Sequence, residues 1–347
     1  MKVLDVAVLG ATGNVGQIFV QLLDGHPWFK VSVVAASERS SGRTYSEAGK
    51  WRQATAVPEA VADLVVVDIE PSAVRDVDIV FSALPTDIAG KVEEEFAKDG
   101  YVVVSNSSAH RMDLDVPLLN PEINSDHLSL IEEQRRRRKW DGAIVTNPNC
   151  STTVLTLPLK PIYDEFGISR VFVSTMQAIS GAGYPGIPSL DIVDNVIPFI
   201  DKEEEKLETE TLKILGSPSS RAVFKISASC HRVPTLNGHM EAVFVETEHK
   251  VESESAMVAM ESYAGEPQRL NLPTAPEKPI VVRREEDRPQ TRLDRMEGNG
   301  MSVVVGRIRR DPVFEGIKFV ALGHNTIRGA AGCGILNAEY LKTKKVV

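Results

Sequence analysis

The chain is 347 residues long, carries 39 basic against 48 acidic side chains for a net charge of −9, and is 42% apolar. Two domains of ordinary globular composition are expected from that length, and no apolar run approaches the ~20 residues that a bilayer crossing requires. The acidic balance offers no general attraction to DNA, RNA or anionic lipid, so any bound anion must be caught by local basic residues.

Val3–Leu9 reads as a buried strand and leaves no room for a signal peptide ahead of it. Gly10-Ala11-Thr12-Gly13-Asn14-Val15-Gly16 follows, and Val15–Leu23 then reads as an amphipathic helix. Glycines there permit positive φ and let backbone N–H groups approach a pyrophosphate at the helix N-terminus. The spacing is G-x-x-G-x-x-G, which alone fits either a dinucleotide site or a structural loop; its place between the first strand and a helix favours the dinucleotide.

A second strand, Val31–Ala36, ends in Ser37-Glu38-Arg39-Ser40-Ser41, where a Rossmann-type domain contacts the adenosine ribose. Glu38 suits a free 2′-hydroxyl, whereas Ser37, Arg39 and Ser40 suit a 2′-phosphate through charge-assisted bonds, and the balance points to NADP. Further strands are expected at Leu64–Asp68, Ile79–Ser82, Tyr101–Ser105 and Ala143–Thr146, with a helix at Ile88–Lys98. Ser82, Leu84 and Pro85 would then lie at the carboxyl edge of the sheet, against the cofactor. Apolar strands alternating with helices predict a doubly wound parallel sheet. The basic run Arg135–Lys139 ends a helix opened by Asn124, Ser125 and Asp126, so it matches the macrodipole and is not a nucleic-acid patch.

Asn147-Pro148-Asn149-Cys150 opens an apolar helical stretch towards Phe166, which Pro158 and Pro161 are expected to kink or interrupt. Cys150 would sit at a helix N-terminus, where the dipole lowers a thiol's pKa and sharpens it as a nucleophile. A lone cysteine is otherwise a small core residue, and the junction of two domains is what favours chemistry here. Cys230 and Cys333 read as structural; three cysteines form no disulfide framework and fit a reducing cytoplasm.

After Pro148 longer strand candidates appear at Ile168–Ala178, Ala222–Ser229, Met240–Glu246, Met301–Arg309 and Gly316–Leu322, predicting an α+β domain on a largely antiparallel sheet. The acidic run Asp201–Glu210 reads mostly as a solvated helix face. In Arg232-Val233-Pro234-Thr235-Leu236-Asn237-Gly238-His239, placed in a turn between strands, His239 is a better base than His231, whose neighbouring arginine opposes its protonation. An ordinary surface histidine would fit that position equally well. Thr326 to about Lys342 reads as a helix able to pack back on the first domain. The expected division is 1–147 plus 326–347 for the Rossmann domain and 148–325 for a catalytic and oligomerisation domain.

Gly10–Gly16, Asn147–Cys150, Gln177 within Ser174–Gly183, Arg232–His239 and Asn325–Gly332 together resemble the aspartate-β-semialdehyde dehydrogenases. The tracts Ser180–Asp191, Leu272–Ile280 and Met301–Arg307 resemble the archaeal and fungal branch. The resemblance implies NADP-dependent reductive dephosphorylation of L-aspartyl-4-phosphate through a Cys150 thioester, with His239 moving protons and Gln177 orienting the acyl group. It implies Arg232 for the substrate α-carboxylate, Glu210 for its ammonium, Arg111 and Lys213 for phosphate, and Asn149 beside the substrate. Ser180, Gly181, Gly183 and Asn325 would contact the nicotinamide side. No metal, nucleic acid or membrane is implied; a homodimer or homotetramer is. The competing expectations are a malonyl-CoA reductase or another acyl reductase on this framework, and an NADP-sensing regulator without chemistry.

Overall fold

The computed structural model describes residues 2–347. Five strands, β1 (Leu4–Leu9), β2 (Phe29–Ala35), β3 (Ile79–Ser82), β4 (Val102–Ser105) and β5 (Ala143–Thr146), form one parallel sheet in the order β2-β1-β3-β4-β5. The inner strands β3, β4 and β5 and the stretch Val6–Leu9 of β1 are buried on both faces because each face is covered. Val6, Val8, Phe81 and Val104 pack on α1 (Asn14–Leu23), while Ala7, Leu9, Val80 and Val103 pack on α2 (Thr86–Lys98). The strand order reverses between β1 and β3, β2 being added on one side of β1 and β3 on the other, which opens the crevice where such sheets bind ligands.

Leu64–Asp68 is not a strand of this sheet. Its backbone alternates between neighbours, the Val67 N–H donating to Val34 and that of Val66 to Arg43, so only isolated bridges at Val67 and Val65 form. The helix expected from Asn124 begins with a 3₁₀ turn, Ser125–Ser129, and continues as α3 (Leu130–Arg138). Arg138 there does more than complement a dipole: it pairs with Asp113 and Asp115, both at 2.7 Å.

α4 (Cys150–Phe166) runs unbroken through Pro158 and Pro161, contrary to the expected interruption. Every residue from Ser151 to Leu159 is buried, so packing on all sides outweighs a local penalty of ~3 kcal/mol per proline. β6 (Arg170–Gln177), α5 (Glu203–Ile214), β7 (Lys225–Arg232), β8 (His239–Glu246), α6 (Ser253–Glu261), β9 (Ile280–Arg283), β10 (Val303–Arg310) and β11 (Gly316–Gly323) build the second domain. Its sheet runs β7-β6-β8-β11-β10-β9. The pairs β6–β8, β8–β11 and β10–β11 are antiparallel, whereas β6–β7 and β9–β10 are parallel, so the sheet is mixed. One face covers a core including Val171, Val243 and Phe319, shared with Leu155 and Leu159 of α4 and Leu207 of α5. A π-helical turn, Ile327–Ala331, leads into α7 (Gly332–Thr343), whose Ile335, Leu336 and Leu341 join the core of the first sheet.

Candidate active site

Strand register assembles three of the predicted residues. Gln177 pairs with Arg232 across β6–β7 and its next-to-last neighbour Met176 pairs with Met240 on β8, so Arg232, Gln177 and His239 occupy one row across three adjacent strands. All three are buried on the inner face. Arg232 therefore ends a strand and His239 begins one, with the turn between them. Ala178 joins them: its carbonyl accepts from Arg232 Nη1 at 2.8 Å and its N–H donates to His239 Nδ1 at 3.1 Å. Because Nδ1 accepts, neutral His239 carries its proton on Nε2, which has no partner. Burial, with Arg232 and His324 nearby, pushes the His239 pKa down to about 3. The resting imidazole is thus a neutral Nε2–H donor. Gln177 Nε2 is held by Thr175 Oγ1 at 3.2 Å.

Cys150 is the first residue of α4, and the Asn149 side chain caps that helix by accepting from the N–H groups of Ser151 and Thr152. The expected lowering of the thiol pKa is reversed. Burial and the Glu203 carboxylate push it up to about 12, against the opposing pull of Arg111 and Arg232. The dipole argument missed desolvation, which here is the larger effect.

The expected anion and ammonium sites are rearranged. Arg111 reaches the cleft, yet Nη1 is paired to Glu210 at 3.0 Å and Nη2 donates to the Asn106 carbonyl at 3.0 Å. Glu210 lies buried below the wall, its second oxygen accepting the Asn149 N–H at 2.6 Å, so both oxygens are engaged. Lys213 faces away from the cleft and donates to the carbonyls of Arg111, Asp113 and Val116 at 2.7–2.9 Å. Burial lowers its pKa to about 8. What the cleft wall presents instead is Glu203, which accepts from Asn149 Nδ2 at 2.9 Å, and Lys206, 3.6 Å from Glu203. The sequence signal for this was faint: Glu203 and Glu210 lie seven apart with Leu207 between, on the inner face of a helix that reads as acidic.

At the cofactor end Gly10 has φ +72°, and a Cβ there would stand 2.8 Å from the Ala83 carbonyl. A Cβ on Gly16 would meet the Gly10 oxygen at 2.2 Å, so only glycine lets α1 begin so close to β1. The turn is braced by Gly13 N–H on the Gly10 carbonyl, Gln17 on Thr12, Tyr45 on Ala11 and Gln53 on Asn14. Val15, Leu84 and Pro85 reach a cleft of about 410 Å³ that continues between the domains to Cys150 and Arg232. Ser82 does not: it is fully buried and donates to Glu93 at 2.6 Å. Ser37 and Arg39 stand exposed beyond β2, while the Ser40 hydroxyl turns inward to the Ala48 carbonyl. Across the cleft, Ser180, Gly181 and Gly183 form the opposite wall with Asn325, whose amide donates to Ser180 Oγ and accepts from the Gly238 N–H, both at 2.8 Å. Sequence reading missed Gly329 on the π-helical turn, whose Cβ, if present, would meet Cys150 Cβ at 2.7 Å.

Residues 5–131 match the family described as "Semialdehyde dehydrogenase, NAD binding domain" and residues 159–328 its "dimerisation domain". An aspartate-semialdehyde dehydrogenase of Methanothermobacter thermautotrophicus is 57% identical over 343 residues, 97% of this chain and 99% of its own length. The chain belongs to the aspartate-semialdehyde dehydrogenase family. Membership carries the fold with it: a crystal structure titled as the Candida albicans aspartate semialdehyde dehydrogenase with NADP superposes with TM-score 0.92 at 40% identity, covering 100% of both chains. The same framework also carries a malonyl CoA reductase (NADP) of Metallosphaera sedula, 46% identical over 99% of this chain and 98% of its own. No helix among the described residues is long and apolar enough to cross a membrane.

Proposed function

We propose that this chain converts L-aspartyl-4-phosphate to L-aspartate 4-semialdehyde with NADPH, through a thioester on Cys150. The observation that carries the reading is the row Arg232–Gln177–His239 facing a cysteine at a helix N-terminus, across the cleft from a glycine turn built for a dinucleotide. The cofactor fits the residues present: the Gly10 and Gly16 positions admit no Cβ, and Arg39 is exposed where a 2′-phosphate would arrive. When bound, the reduced nicotinamide supplies the hydride.

The chain's own residues supply the rest. Cys150 sulfur bonds the acyl carbon as the carbon–oxygen bond to phosphate breaks, and the thiol proton leaves on the departing phosphate. The positive end of the α4 dipole and the unpartnered Nε of Arg111 provide positive charge where oxyanion and phosphate develop. Arg232 offers a planar fork for the α-carboxylate. His239 Nε2–H would donate a hydrogen bond to the oxyanion that develops on the carbonyl oxygen when the thioester is reduced, and would hold it until the carbon–sulfur bond breaks, the aldehyde departs and the Cys150 thiolate takes a proton from solvent. Glu203, with one oxygen on the wall, joins Glu210 as a candidate for the substrate ammonium, and Lys206 joins Arg111 for phosphate; Lys213 then acts as a brace under Arg111.

The remaining parts of the proposal are a cytoplasmic location and a homodimer or homotetramer. A homo-oligomer is supported by the family description of residues 159–328 and by the uncovered outer face of the second sheet, where Phe172 stands 45% exposed. Replacing Cys150 with Ala tests the mechanism: activity should fall at least ~10³-fold with NADP binding retained, because the covalent route is lost while the cofactor turn is untouched. Activity within tenfold of the parent would reject it. The malonyl CoA reductase at 46% identity makes malonyl-CoA the substrate to test beside aspartyl phosphate; turnover of malonyl-CoA alone would favour that second reading.

A further inference from the structure

The turn after β11 is π-helical because its bonds span five residues, the Gly329 N–H donating to the His324 carbonyl at 3.0 Å and that of Ala331 to Thr326 at 3.3 Å. Such turns hold one residue more than an α-helical turn and gather at functional sites. This one shows Thr326, Gly329 and Ala330 to the cleft and buries Arg328 completely. A Cβ on Gly329 would stand 2.7 Å from Cys150 Cβ and 2.9 Å from its Cα, so the turn lies directly against the cysteine. Two side chains hold it there. The Asn147 amide, three residues before Cys150, donates to the Ala330 carbonyl at 3.1 Å. Arg328 meets the fully buried carboxylate of Glu122 and donates through Nη2 to Asn120 Oδ1 at 3.2 Å. The segment carrying those two acceptors adjoins the end of β5: the Leu119 N–H donates to the Thr146 carbonyl at 2.9 Å, and Asn337 Nδ2 bridges the Leu119 carbonyl at 3.0 Å and Asn147 Oδ1 at 2.8 Å. The π-helical turn, this segment and Asn147 thus form one closed ring of contacts beside Cys150.

We infer that Arg328 is a positioning residue: its fork on Glu122 and Asn120 seats the π-helical turn so that Gly329 backs Cys150 and fixes the direction of its sulfur. The inference rests on Cys150 being the nucleophile. Stability alone does not account for the pair, because uncharged groups of similar volume often match a buried ion pair in stability, whereas a planar fork selects one geometry. Neither Arg328 nor Glu122 lines the cleft, so any effect on turnover passes through the turn.

The test is a charge-free pair, Arg328→Met with Glu122→Gln, in the full-length protein. The second substitution keeps an acceptor for Gln268 Nε2, which donates to Glu122 at 2.7 Å. With a urea midpoint near the parental value, kcat should fall at least about tenfold while KM for aspartate semialdehyde and NADP affinity stay within about twofold, since Arg232 and the glycine turn are untouched. Alkylation by iodoacetamide, read peptide by peptide, should accelerate at least about threefold at Cys150 as its backing withdraws, and stay parental at Cys230 in the core of the second domain. Parental kcat, a parental alkylation rate at Cys150, or an acceleration shared equally by Cys230 overturns the inference. If the double variant does not fold, Arg328→Lys decides: it keeps the charge and loses the fork, so the same fall in kcat at constant KM is expected, and parental kcat overturns the inference. Parental protein that stays active after full Cys150 alkylation would overturn the nucleophile reading instead, whatever the Arg328 variants do.

Discussion

Gly181→Ala places one methyl group where the structure leaves no room for it. A Cβ at this position would lie 2.8 Å from Arg232 Nη1 and 3.1 Å from both Nε2 and Cε1 of His239. Ordinary carbon contacts are ~3.5–4 Å, so the guanidinium must retreat by roughly 0.7–1 Å. Retreat strains its 2.8 Å bond to the Ala178 carbonyl, and Ala178 also holds His239 through its N–H. One methyl thus misaims the carboxylate fork and the proton donor together. Misplacement of ~1 Å costs ~10²-fold, so kcat/KM should fall about 30- to 100-fold, or ~2–3 kcal/mol of barrier. The assay is aspartate semialdehyde, phosphate and NADP followed at the nicotinamide absorbance, with the thermal midpoint measured to show that the fold survives. A variant that keeps more than a third of parental kcat/KM would refute the row of Arg232, Gln177 and His239 as the working surface.

Arg232→Lys keeps the charge and removes the fork, and should lower kcat/KM by about two orders of magnitude with NADP affinity unchanged; near-parental kinetics would remove the carboxylate role. Arg39→Ala should weaken NADP binding by ~1.5–3 kcal/mol and leave NAD binding almost untouched, measured by titration; equal losses for both would show that Arg39 does not read the 2′-phosphate. Stability should fall as pH drops from 6.5 to 5. The unfolded chain protonates His239 and His324 near 6.5, while burial holds them neutral in the fold down to about 3 and about 4, so the unfolded state binds more protons throughout that window. The urea midpoint should decline over that range, less steeply in His239→Gln, and a flat parental profile would contradict the burial.

The strands of the first sheet are legible in sequence because both faces are covered, so Val6–Leu9 and Val102–Val104 read as unbroken apolar runs. Leu64–Asp68 misled for the same reason: β-branched composition marks a segment that can be extended, but not whether one neighbour will supply a full ladder. The cysteine and the arginine-to-histidine stretch stand out by residue type and resemblance. Their alignment in one row depends on register across three strands, a property of pairs that no single stretch contains. Charges fared worst, since Lys213 is spent on three backbone carbonyls and Glu203 is turned inward by tertiary packing. Cys150 shows the same limit, because the helix end is local while the desolvation that outweighs it comes from the whole surrounding core.

The central claim is a covalent intermediate on Cys150 that phosphate resolves, and rapid mixing of the protein with aspartate semialdehyde and NADP in the absence of phosphate tests it most directly. A burst of NADPH should appear and then stall, with an acyl mass added to the peptide carrying Cys150, and phosphate should restart turnover. No burst, or an adduct on any other residue, would contradict the account.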